Sequence, residues 1–75
     1  MLFLIEYDRE QGKILEILRF SESEKDVANT ARLDLELELN RRGVEHEVVL
    51  LEAEDEAALR RTHRRYFEDL LELAS

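Results

Sequence analysis

Leu33-Asp34-Leu35-Glu36-Leu37-Glu38-Leu39 alternates strictly between apolar and acidic residues, the period of a half-buried strand. Period alone would allow a strand here, in place of a long helix between the hairpin and the third strand. Its flanks decide. Upstream, Ser21-Glu22-Ser23-Glu24-Lys25-Asp26 offers capping spacing twice, Ser21 to Glu24 and Ser23 to Asp26, and crowds acids at the positive end of a helix dipole. Downstream, Arg41 and Arg42 suit a last helical turn, and Gly43 suits the left-handed residue after it. The interval between these signals is rich in strong helix formers and too long for a strand. A helix is therefore predicted over 22–42.

On that helix Val27, Ala28, Ala31, Leu35 and Leu39 fall within about a third of the circumference, at roughly 3.6 residues per turn. Leu33 and Leu37 fall nearly opposite. Two apolar stripes need two things to touch. The second stripe could pack on another helix of the same chain, or it could serve a dimer or partner surface.

Toward the N-terminus, Leu2 to Tyr7 is apolar apart from Glu6, and Lys13 to Phe20 is a second β-like run. Asp8-Arg9-Glu10-Gln11-Gly12 between them reads as a hairpin loop with Gly12 in the left-handed conformation, giving a hairpin over 2–20. A three-residue loop, Glu10-Gln11-Gly12, pairs Arg9 with Lys13, Tyr7 with Leu15 and Ile5 with Ile17. One face then carries Phe3, Ile5, Tyr7, Leu15 and Ile17. The other holds Leu2, Leu4, Leu18 and Phe20 and sets Glu6 opposite Glu16. Beyond Gly43, residues 44–53 form a third strand around Val48-Val49-Leu50-Leu51, and Glu54 or Asp55 opens a second helix over 55–73. A right-handed crossover makes strands two and three parallel, which gives the order 2-1-3. The fold class is α+β: a single small ββαβα domain, a three-stranded sheet with two helices packed on one face.

That arrangement leaves the outer face of the sheet bare, with Leu2, Leu4, Leu18 and Phe20 on it. The chain is also short. At 75 residues without a cysteine it has no disulfide staple, and one core of this size supplies only about 3–5 kcal/mol. A homodimer is the expected remedy, through Leu2, Leu4, Leu18 and Phe20 by back-to-back sheets or strand edges, or else through Leu33 and Leu37.

Composition narrows the functional classes. Eleven Lys and Arg against nineteen Asp and Glu give a net charge of −8, which disfavours nucleic-acid and anionic-membrane binding. Apolar residues at 44% and charged residues at 40% fit a globular chain. The apolar opening Met1 to Ile5 is too short for a signal peptide or a membrane span, so a cytoplasmic location is the expectation. No Cys-built metal site, glycine-rich phosphate loop or nucleophile–His–acid set is present. No catalytic residue, cofactor or metal is therefore assigned, and an enzyme is not expected.

Two polar features remain. Arg60, Arg61, Arg64 and Arg65 share one side of the second predicted helix, and guanidinium forks suit phosphates and carboxylates. They are the candidate anion-binding residues of an alternative function, nucleic-acid or phosphate-ligand binding. Against that, Glu56–Arg60, Arg64–Glu68 and Arg65–Asp69 all have i,i+4 spacing, so this charge can be neutralised along the helix. The second feature is a candidate polar site. His63 lies on the apolar side of that helix, where a carboxylate partner would make it a general base, and a packed histidine is the plainer outcome. Glu6 and Glu16, facing each other, could share a proton or a cation, or splay into water. A further alternative is an acidic inhibitor, like an antitoxin, of a basic protein partner. The leading expectation is a self-associating protein-interaction or structural module.

Overall fold

Asp8 organises the turn of the N-terminal hairpin. Its Oδ1 accepts the backbone N–H groups of Glu10 (3.0 Å) and Gln11 (3.1 Å), and its carbonyl accepts that of Gly12 (2.8 Å). Gly12 closes the loop at φ +69°, where a side chain would be strained. In the computed structural model, which describes residues 1–67, the hairpin joins β1 (Leu2–Asp8) to β2 (Lys13–Phe20). A short 3₁₀ turn, Glu22–Glu24, leads into α1 (Lys25–Arg42), followed by β3 (Glu47–Glu52), α2 (Glu56–Thr62) and a second 3₁₀ turn, Arg64–Tyr66. The α+β class and the order β-β-α-β-α are those expected, and the sheet runs β2-β1-β3 with both pairings antiparallel.

The hairpin register holds at Ile5–Ile17 and Glu6–Glu16 but slips beyond them. Tyr7 faces Ile14 and Asp8 faces Lys13, in place of the expected Tyr7–Leu15 and Arg9–Lys13 pairs. Asp8 commits four residues to the loop instead of three, and an irregularity between Glu6 and Tyr7 absorbs the difference. As a result Ile14 packs against the core, while Leu15, expected inside, is 44% exposed.

The two helices do not share a face. Phe3, Ile5 and Leu59 of α2 are completely buried together, with Ile14, Ile17, Val49 and Leu51 around them. Leu2 and Leu4 point the other way and are buried as well, Leu4 to 1% exposure, on the side where α1 contributes Ala28 and Leu39. The cause lies in β1. It is the middle strand and is apolar at successive positions, so both of its faces need cover. With α1 on one and α2 on the other, Leu2 and Leu4 belong to the monomer's own core. The expectation that they form an interface is corrected.

Termini of the helices follow their sequence signals in part. The Glu24 carboxylate accepts the Ser21 backbone N–H (2.9 Å) and hydroxyl (3.0 Å), and these bonds hold its pKa below the usual range. Gly43 ends α1 at φ +70°, its N–H reaching the Asn40 carbonyl (3.1 Å) while Val44 reaches that of Leu39 (2.9 Å). β3 begins at Glu47, not at residue 44, because its partner strand runs out at Asp8, whose groups are committed to the turn.

α2 is shorter than the predicted 55–73. Asp55 caps it by accepting the Ala58 N–H (2.8 Å), and it stops at Thr62, whose hydroxyl bonds back to the Ala58 carbonyl (3.0 Å). Arg60 and Arg64, like Arg61 and Arg65, would repel at i,i+4 if the helix continued. The break also lets Tyr66 turn inward, where it is buried. The remainder of that predicted helix, with Glu68, Asp69 and Leu70, lies outside the described residues. Among the described residues no helix is long and apolar enough to cross a membrane.

Candidate functional site

Among the described residues, the outward side of α1 carries exposed apolar side chains. Ala28, Leu35 and Leu39 use the inward side, which turns Leu33 and Leu37 directly away from the sheet. They are 54% and 57% exposed, and Val27, at the margin of the inward stripe, is 56% exposed. Beside them, Asp26, Val27, Thr30, Ala31 and Asp34 line an open groove of about 370 Å³. Of the other candidate interface residues, Leu18 is 40% exposed and Phe20 half-buried at the edge of the sheet.

Glu6 and Glu16 are directly opposed across the hairpin, as their spacing implied. Their repulsion is relieved by a residue that the sequence reading did not select. His46 Nδ1 lies 2.7 Å from Glu6 Oε2, and His46 Nε2 lies 3.9 Å from Asp8 Oδ2. Glu16 stays exposed. The signal was in the register: Glu6 faces Val48, so His46, two residues earlier on the same strand face, is its diagonal neighbour.

A neutral imidazole donates from Nδ1 to a carboxylate and leaves Nε2 as an acceptor, the arrangement of a general base. His46 also forms part of a polar cleft of about 540 Å³ lined by Asp8, Arg9, Glu10, Gly43, Val44 and Glu45. That lining holds no hydroxyl or thiol to activate, and among the described residues no group of three or more His, Asp or Glu is arranged to hold a metal ion. The contact ties the residue just before β3 to the hairpin. Replacing His46 by Ala leaves the largely buried Glu6 carboxylate unpaired beside Glu16 and should cost about 1–3 kcal/mol. Adding Glu6→Leu to that variant should recover much of the loss, because neither charge nor unmet partner then remains. Urea midpoints of the two single variants and the double one measure this coupling.

The four arginines are drawn to different tasks. Arg65 Nη2 reaches both Glu47 oxygens (2.9 and 3.1 Å) and its guanidinium lies 4.6 Å above the Tyr66 ring. Arg60 sits 3.6 Å from Glu56, the expected i,i+4 pair, and lies 4.6 Å over Phe67. Arg64 is also engaged, and Arg61 is exposed. Since α2 ends before Arg64, the stripe is not one helical face. His63 is the residue that ends α2 and is half-buried, remote in the chain from the Glu6–His46 pair and without a side-chain bond to it.

Around Arg65, Tyr66 donates its hydroxyl to Glu47 (3.0 Å), and Tyr7 meets the Tyr66 ring edge-on at 5.1 Å. Burial, and then the acceptor Glu47, push the Tyr66 phenol above its ordinary value of 10.0. A raised folded-state pKa means that this contribution is full below pH 10 and is lost as pH rises through the folded value. Stability should therefore fall on the alkaline side, and Tyr66→Phe should flatten that fall. Denaturation midpoints taken at rising pH, with ultraviolet titration of the phenols, report it.

The chain matches no protein-family model, no curated protein and no solved structure, so its geometry alone bears on its function.

Proposed function

We propose that this chain is a small interaction module that works as a homodimer, joined through the outward side of α1. Leu33 and Leu37 carry the reading: two leucines more than half exposed, on the side of the helix turned away from its own core. A monomer gains nothing from apolar side chains held there, whereas a second copy would bury four leucines at once. The size of the chain supports the same reading. The described buried apolar side chains are few, and association adds stability through mass action. A net charge of −8 does not oppose it, because α1 itself carries both signs. A chain without cysteine suits a reducing compartment, and a cytoplasmic location belongs to this proposal.

Sedimentation equilibrium at micromolar concentration should give a dimer. Changing Leu33 and Leu37 together to Lys should raise the dissociation constant at least about a hundredfold, since each buried leucine is worth about 1.5–3 kcal/mol. The helical circular-dichroism signal of each folded chain should survive that change. Leu18→Lys at the sheet edge should leave the dimer intact. A wild-type chain that sediments as a monomer throughout would overturn the proposal.

A further inference from the structure

We infer that the second copy docks on α1 in the antiparallel sense, with the acidic start of one helix over the basic end of the other. This rests on the homodimer proposed above and specifies its geometry. The N-terminal end of α1 and the turn before it carry Glu22, Glu24 and Asp26 against one Lys25, with Glu22 held by the Met1 ammonium, while its last turn carries Arg41 and Arg42. A parallel pair would set Asp26 against Asp26 and Arg41 against Arg41. An antiparallel pair sets opposite charges together at both ends and opposes the two helix dipoles.

A single two-fold axis satisfies the apolar residues as well. Placed between Leu33 and Asp34, it brings the partner's Arg41 over Asp26 and the partner's Leu37 over Thr30, while the two copies of Leu33 meet near the centre. Thr30 borders the groove already described, and Val27, Thr30, Ala31 and Asp34 in its lining have the i, i+3, i+4, i+7 spacing of a hole that takes a facing side chain. Leu37 is the side chain positioned to enter it. Leu37 and Leu33 are also spaced, with Thr30 and Asp26, at alternate intervals of four and three residues, as in a helix-pairing seam. Arg41 keeps its own exposed pair with Glu38, and a side chain 76% exposed has the freedom to reach a second carboxylate. Asp34 lies beside the axis near its own copy, so the arrangement carries one like-charge contact at its rim.

The absence of cysteine makes a direct test clean. Asp26→Cys and Arg41→Cys are prepared as two separate proteins and oxidised mildly, each alone and mixed in equal amounts. The mixture should form a cross-linked dimer of one chain with the other. Neither protein alone should do so, because identical positions lie roughly 22 Å apart along antiparallel helices, well beyond disulfide reach. In parallel, Asp26→Arg or Arg41→Asp should each weaken the wild-type dimer about three- to tenfold at low salt, and the double exchange should restore it. Cross-linking of either cysteine protein alone would overturn the antiparallel geometry. So would a dimer that forms no cross-link in the mixture, with the homodimer itself left standing. A wild-type monomer in sedimentation would remove both.

Discussion

Replacing Leu4 by Ala should destabilise the chain by about 2–5 kcal/mol, comparable with the whole stability of a domain this size. Leu4 is 1% exposed in the middle strand, on the face that α1 covers. Its loss leaves a cavity between the sheet and Ala28 and Leu39, and a strand held by neighbours on both sides cannot move to fill it. Because the contact is made within one chain, the cost should not depend on protein concentration. That separates Leu4 from Leu33 and Leu37, whose replacement should matter less as the sample is diluted. Thermal melts of the Leu4 variant at two concentrations a hundredfold apart make the comparison. An effect that vanishes on dilution would return Leu4 to an interface between copies.

Leu59→Ala should have a similar gross cost but a more local outcome. Leu59 is the one buried residue of α2 and is completely buried in a cluster with Phe3 and Ile5. A seven-residue helix has no stability of its own in water, so α2 persists only while that side chain anchors it. With the anchor gone, the helix should detach from the sheet and take with it the Arg19–Glu56 ion pair (2.9 Å). α1 and the sheet pairing lie on other contacts and should outlast it. Amide exchange is the measurement: protection should fall across residues 56–62 well before it falls in β1. Equal loss in both would show that the two faces of the sheet unfold as one unit.

The architecture was legible in the sequence wherever a local signal sufficed. Ser21 marked the 3₁₀ turn that leads into α1, Gly43 and Asp55 marked helix ends, and the 3.6-residue stripe of Ala28, Leu35 and Leu39 overrode the strand-like alternation around it. What failed was assignment of faces. Leu2, Phe3, Leu4 and Ile5 announce a strand buried on both sides, but they do not say whether a helix or another subunit covers each side. The length of α2 failed for a different reason. Apolar periodicity continued past Thr62, but α2 ends there and a 3₁₀ turn carries Tyr66 inward to a buried position. His46 was passed over because its significance is a property of register. Only after β3 is laid against β1, in the observed alignment, does it come within reach of Glu6.

The position of β1 between its two partners also orders events in time. Its pairs with β2 are close in sequence and can form within microseconds, as hairpins do. Its pairs with β3 join residues about forty to fifty positions apart and wait on the closure of a much longer loop, with α1 inside it. The nascent hairpin therefore spends that interval with one long edge of β1 unpaired and both of its apolar faces wet. Substitutions that hasten the arrival of β3 should improve the yield of refolded protein even where they leave the final stability unchanged.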